Sequence, residues 1–212
     1  MNIPESCFPP WVVGLTGGIA SGKSSVWRWL MAHGGLTGLN ADELVAELLK
    51  VGGEGWRQLR VWLDPAFFPS GGRLDKPMLR REIFNNISLR RRVESCLHPL
   101  VLMAIRERIA AVPVSNHRPM LIEVPLLFEA GWQKFFNKVI LVSAADDVCL
   151  SRLRVRDGVT EEEARLAMKA QIPLAEKCRW ADYVINNSAG WPKTVIQLEK
   201  LQKELDTIVA MS

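Results

Sequence analysis

With 212 residues, 48% of them hydrophobic and 24% charged, the chain has the make-up of an ordinary globular protein of one domain, inserts included, with a proper core. No apolar run reaches the ~18 residues of a membrane span, and Met1-Asn2-Ile3-Pro4-Glu5-Ser6 lacks the basic start and apolar stretch of a secretory signal, so a cytoplasmic protein with no membrane partner is expected. The net charge of +4 fits a mildly basic surface or a site for a strongly anionic ligand; no nucleic-acid motif accompanies it, and no nucleic-acid partner is expected.

Trp11-Val12-Val13-Gly14-Leu15-Thr16 is a short apolar run that reads as a buried strand. It leads into Gly17-Gly18-Ile19-Ala20-Ser21-Gly22-Lys23-Ser24, a complete G-x-x-x-x-G-K-[ST] phosphate-binding loop. Ser24 to Met31 reads as the helix that follows. Glycines let the chain bend tightly enough to turn backbone N–H groups toward a polyphosphate, and the helix N-terminus adds its partial positive charge. Lys23 is placed to reach β- and γ-phosphates, and the Ser24 hydroxyl to ligate Mg²⁺. The expected nucleotide-binding residues are Gly18, Ile19, Ala20, Ser21, Gly22, Lys23, Ser24 and Ser25. A glycine-rich turn with no ligand is the plain alternative, but strand, loop, Lys-Ser and helix all follow in the required order.

Gly34-Gly35 reads as a helix C-cap, and Leu36-Thr37-Gly38-Leu39-Asn40 as a weak second strand. A helical pattern starts at Asp42-Glu43, so Asp42 is expected where strand meets helix, at the ligand-facing edge of an open α/β sheet. A simple N-cap or first-turn aspartate is the other reading. Residues 52 to 110 change character: Gly52-Gly53, Asp64-Pro65 and Ser70-Gly71-Gly72 punctuate short helical pieces, and Arg80-Arg81 and Arg90-Arg91-Arg92 add positive charge. This is read as a helical insert in which His98-Pro99 joins two helices. Its arginines fit a solvated helix face or, as preferred, an anion-binding surface.

Pro119 to Pro125 reads as a buried parallel strand, with Glu123 where an acid would hold Mg²⁺, often through water. Lys138 to Ser143 and Asp182 to Asn187 read as the remaining strands of a five-stranded parallel sheet covered by helices. Between them, Ala145 to Arg156 is helical and carries Arg152, Arg154 and Arg156; Asp157-Gly158 turns; Thr160-Glu161-Glu162-Glu163 is a capping box. A helical hairpin results, either a surface element or a lid that sets arginines against the transferring phosphate. Pro192 to Ile208, with Val195, Leu198, Leu201 and Leu205, reads as a helix on the core. Cys7, Cys96, Cys149 and Cys178 are scattered and do not cluster with His33, His98 or His117, so reduced thiols and no zinc site are expected.

The motifs in order resemble the dephospho-coenzyme A kinase family from Val13 to about Gly190. The resemblance rests on Gly14 to Ser24, Asn40-Ala41-Asp42, Gly72-Arg73-Leu74-Asp75, Leu79, Ile83-Phe84 and His98-Pro99. It continues through Pro125-Leu126-Leu127-Phe128-Glu129, Arg152-Leu153, Arg156-Asp157-Gly158, Gln171, Glu176-Lys177 and Ala181 to Asn187. Departures are Asn40 for an aspartate, Lys76 for an arginine, Asn186 for an aspartate and Ser25 for a threonine. The resemblance implies a P-loop NTPase three-layer α/β/α fold, like the nucleotide monophosphate kinases, over 1–212. A mostly helical coenzyme A-binding part would span 42–110 and a lid region 145–178. It implies ATP and Mg²⁺ as cofactors and transfer of the γ-phosphate to the ribose 3′-hydroxyl of dephospho-coenzyme A, the last step of coenzyme A synthesis. Asp42 would orient that hydroxyl and accept its proton; Lys23, Arg152 and Arg156 would stabilise the transferring phosphate. The candidate substrate residues are Asp42, Arg80, His98, Pro125 and Leu126, the metal residues Ser24 and Glu123. A monomer or small homo-oligomer is expected. A kinase for another small acceptor shares the loop but not Pro125 to Glu129 or the lid pattern. A guanine-nucleotide switch fails because Asn137-Lys138 lacks its following aspartate.

Overall fold

The computed structural model describes residues 11–69, 72–112 and 119–211. The N-terminal reading at Met1 to Ser6, and the readings at Cys7, Ser70, Gly71 and His117, lie outside the described residues. The chain divides into two compact units, one of Met1–Leu39 with Val112–Ser212, the other of Asn40–Ala111.

A five-stranded sheet runs β2 (Thr37–Asn40), β3 (Met120–Glu123), β1 (Val12–Gly17), β4 (Lys138–Ser143), β5 (Tyr183–Asn186). β1 is central and parallel to both neighbours, with Leu15 opposite Glu123 and Gly17 opposite Val142. All of β1 is buried. Val13 and Leu15 turn to a cluster with Val26 and Leu30 of α1 (Lys23–His33) and Leu198 and Leu201 of α9 (Trp191–Met211). Toward the other face, a Cβ on Gly14 would lie 2.7 Å from Leu127 Cδ1, so that side chain fills the space. A strand covered on both faces reads as a continuous apolar run, as β1, β3 and β4 do. The chain leaves β1 toward β2 and leaves β4 toward β5, which opens a crevice beyond the carboxyl ends of these two neighbours. The phosphate loop sits there. From β4 the chain continues through α6 (Asp146–Asp157), α7 (Glu161–Lys169) and α8 (Leu174–Trp180). The capping box at Thr160 is present, its hydroxyl accepting from Glu163 N at 3.3 Å while Glu163 Oε2 accepts from Thr160 N at 2.8 Å.

The second unit holds α2 (Ala41–Leu48), α3 (Glu54–Trp62), α4 (Lys76–Asn85) and α5 (Ile87–Ala110). Leu59, Leu63, Phe67, Leu79, Val93 and Leu97 share its core. His98-Pro99 does not join two helices: α5 runs unbroken through Pro99. Proline removes a backbone donor and ordinarily costs a helix about 3 kcal/mol. Here Val93, Leu97, Leu100, Val101, Ile105 and Ile109 form one buried stripe across it, while Pro99 itself faces solvent. Packing of that stripe overrides the local penalty.

At the β2–α2 junction Asp42 lies where strand meets helix, in the first turn of α2, which starts one residue earlier at Ala41. Asn40 is the N-cap, its Oδ1 accepting from Asp42 N at 2.8 Å and Glu43 N at 3.3 Å.

Candidate active site

The phosphate loop begins where β1 ends. Gly17 opposes Val142, and a Cβ there would meet Ser21 Oγ and Val142 O, each at 2.7 Å. Ser21 N donates to Gly18 O at 3.2 Å and closes the turn. Gly22 then adopts φ 92°, a left-handed geometry that favours glycine, and a Cβ on it would lie 2.1 Å from Asn187 Nδ2. Gly22 is also the N-cap of α1, with no side-chain cap among the described residues and no acidic residue in the first turn. The helix therefore presents open N–H donors and its positive dipole end to an anion.

The second half of the loop is clamped from behind. Ser21 O accepts from Asn187 Nδ2 at 2.8 Å and from Arg152 Nη1 at 3.3 Å, and Arg152 Nη2 donates to Asn187 O at 2.9 Å. Thr194 Oγ1 donates to Asn187 Oδ1 at 2.9 Å, both residues being buried. Thus α6 and the residue after β5 meet on one carbonyl of the loop, and α9 braces the second of these through Thr194. The first half is held separately: Ile19 N donates to Gln171 Oε1 at 3.0 Å. A cavity of about 670 Å³ opens beside it, lined among others by Gly18, Ile19, Ser21, Cys149 and Gln171. Burial pushes the Cys149 thiol up from its ordinary pKa, against the pull of the Arg152 charge, so it stays protonated.

Lys23 donates to Glu123 Oε1 in a mostly buried ion pair. Glu123 ends β3, directly beside Leu15 of β1, so the strand register brings acid and lysine to the same crevice. Ser24 is exposed on the first turn of α1, and Ser25 Oγ accepts from Arg28 at 3.4 Å. Pro125 O accepts from Thr16 Oγ1 at 3.1 Å, which ties the turn after β3 back to β1; Leu126 on that turn is 43% exposed.

Other residues singled out by the sequence stand apart. Arg156 is exposed and donates to its neighbour Asp157 at 2.7 and 2.8 Å, and Arg154 pairs with Glu161 at 3.6 Å. Of the hairpin arginines Arg152, Arg154 and Arg156, the structure brings Arg152 to the loop. Asp42, Arg80 and His98 belong to the second unit, Asp42 and Arg80 exposed and His98 half-buried. Burial holds the His98 imidazole below its ordinary pKa, with the Glu94 carboxylate opposing. Sequence reasoning gave no role to Asn187, Thr194, Gln171 or Glu129; three of these stood in family-like blocks, but Thr194 carried no signal beyond its place on the last helix.

A loop of this shape between the central strand and an uncapped helix, on a sheet of this order, defines a P-loop nucleotide-binding domain of the kinase type. The solved structure of TT1252 from Thermus thermophilus has the same fold, with a TM-score of 0.75 and 29% identity, over 93% of this chain and 97% of that one. A dephospho-CoA kinase structure from Campylobacter jejuni, at 23% identity, matches the fold with a TM-score of 0.67, covering 92% and 96% of the two chains. The family model described as dephospho-CoA kinase matches residues 11–193. A dephospho-CoA kinase from Geobacillus kaustophilus is 38% identical over 196 residues, covering 92% of this chain and 97% of that protein. The chain belongs to the dephospho-CoA kinase family.

Proposed function

We propose that this chain transfers the γ-phosphate of ATP to the ribose 3′-hydroxyl of dephospho-coenzyme A, completing coenzyme A. The observation that carries the reading is the phosphate loop of a chain of this family, with open helix donors, Lys23 and Arg152 at one crevice. Phosphoryl transfer asks the protein for alignment and charge stabilisation more than for covalent work. The loop and α1 take the ATP phosphates on backbone N–H groups. Lys23 exchanges its Glu123 partner for the β- and γ-phosphates and offsets the charge that develops on them. Arg152 stiffens the loop from behind and adds positive charge to the same crevice.

Ser24 and Glu123 fit Mg²⁺ as hard oxygen donors. Mg²⁺ is commonly held by one or two protein groups together with waters and substrate phosphate oxygens. When bound, Mg²⁺ supplies neutralisation of the phosphate oxygens. Asp42 orients the acceptor hydroxyl and takes its proton. The departure at Asn40 leaves this role intact, because Asn and Asp cap helices about equally and Asn40 is engaged as the cap. Arg80, His98, Pro125 and Leu126 are assigned to the acceptor, and Arg156 to the phosphates once the α6–α7 hairpin closes.

The enzyme is read as cytoplasmic, monomeric or a small homo-oligomer, without a nucleic-acid partner; among the described residues no helix is long and apolar enough to cross a membrane. The test is incubation with ATP, Mg²⁺ and dephospho-coenzyme A, followed by mass spectrometry. Appearance of coenzyme A at the expense of ATP is expected. No coenzyme A, with phosphate instead moved to a different small acceptor, would overturn the reading.

A further inference from the structure

Lys177 heads the largest fully buried side chains of the described molecule, at 1% exposure. Its ammonium lies 2.5 Å from Glu129 Oε1. Beyond this ion pair, neither Lys177 Nζ nor Glu129 Oε2 has a hydrogen-bond partner among the described residues. Withdrawing two ions from water is costly, and a well-packed apolar pair of similar volume usually serves stability as well or better. Stability alone is therefore a poor reason for this pair.

Its surroundings suggest a better one. Glu129 Oε1 also accepts from Ile172 N at 3.2 Å. The preceding residue, Gln171, accepts Ile19 N of the phosphate loop at 3.0 Å. Lys177 follows within α8, and Lys177, Gln171, Ile172 and the loop residues Gly18, Ile19 and Ser21 line the same cavity. Glu129 thus grips the entry to α8 at two points, one a backbone N–H and one a buried ammonium. Gln171 is the residue that this grip delivers to the loop.

We propose that Glu129 and Lys177 are a positioning pair that fixes Gln171 against Ile19 and so preforms the first half of the phosphate loop for ATP. The second half has its own support in Asn187 and Arg152, so the loop is held by two separate clamps. The inference rests on the reading that ATP occupies this loop. Lys177 touches no reacting atom in it; Lys177 acts through Gln171.

The test is a double-mutant cycle of Gln171→Ala and Lys177→Met, read by equilibrium ATP affinity without acceptor and by KM for each substrate. Each single change should weaken ATP binding about tenfold and leave the KM for dephospho-coenzyme A within about twofold, and the double variant should be no worse than the worse single one. A merely structural role would move both substrates together or neither. Parent-like ATP affinity in Gln171→Ala overturns the proposal, and so does a double variant whose loss is the product of the two singles. If Lys177→Met fails to fold, Glu129→Gln replaces it in the cycle, with the same expected and overturning results. Coenzyme A production by the parent tests the functional reading separately, since ATP affinity is measured without acceptor.

Discussion

Around the phosphate loop, side chains from distant elements tie down backbone groups and leave the α1 N–H groups open beside a cavity; across Asn40–Ala111, charge faces solvent over a separate apolar core. Ser21 O receives two donors, Gly22 is hemmed in by Asn187, and Lys23 is paired with Glu123. In the other region Arg92 lies 4.1 Å over the Trp62 ring and Arg60 4.8 Å over Trp56, while Arg108 reaches exposed Glu47 at 3.0 Å. Exposed pairs of that kind contribute about 0–1 kcal/mol each. One region is fixed by backbone geometry that tolerates little change. The other is fixed by buried leucines and valines, and its cations cover tryptophans as well as offering charge. The proposed roles match this contrast, ATP falling to the first kind of construction and the acceptor to the second.

The contrast is broken most sharply at Gly22. Gly22→Ala combines a left-handed φ with a 2.1 Å clash on Asn187, and turnover should become unmeasurable with ATP affinity lost. Gly18→Ala, whose Cβ would meet nothing nearer than Leu174 Cδ1 at 4.0 Å, should bind ATP like the parent. Equal losses in the two would deny that the loop is geometrically fixed at Gly22.

Next comes charge at the same crevice. Lys23→Ala should lower turnover by about 10³-fold, as expected for loss of a preorganised cation at the phosphates, and should also lower the melting temperature, because it breaks the mostly buried pair with Glu123. Arg152→Ala should cost roughly 10²-fold or more, and Arg156→Ala less than about tenfold, because Arg152 alone of the two holds the loop carbonyl. Paired turnover and melting curves check both; parent-like kinetics in Arg152→Ala would return α6 to a surface element.

In the second region the effect should fall on stability. Leu97→Ala empties part of that core and should cost about 2–5 kcal/mol in denaturant unfolding. The smallest effect concerns His98. Its pKa is depressed in the folded chain, so the unfolded chain binds more protons and stability falls as pH drops below the ordinary value of 6.5 toward the folded value. His98→Gln should flatten that acid slope; an unchanged slope would assign it to other groups.

Much of the fold was legible in the sequence. Strands read as continuous apolar runs because both faces of the sheet are covered, and the loop, capping box and Lys138–Ser143 strand lie where local pattern placed them. One local reading failed because longer-range order outvoted it. Pro99 looked like a break, but the stripe from Val93 to Ile109 carries α5 through it. Asp42 stands where strand meets helix, as its pattern placed it, with Asn40 as the cap. The loop's supports were the least legible. Asn187 and Gln171 act across the fold, with Gln171 152 residues from its partner Ile19, and no spacing rule connects such pairs.

The proposed division of labour gives ATP to the loop and the acceptor to Asp42 in the other region. Asp42→Asn separates the two directly, since it keeps size and removes only the charge and the proton acceptor. Equilibrium ATP affinity and turnover with dephospho-coenzyme A are measured side by side in the parent and this variant. The account predicts parent-like ATP affinity and turnover lowered by about 10²–10⁴-fold, the usual contribution of a general base. Turnover equal to the parent's would contradict it and leave Asp42 an ordinary first-turn residue of α2.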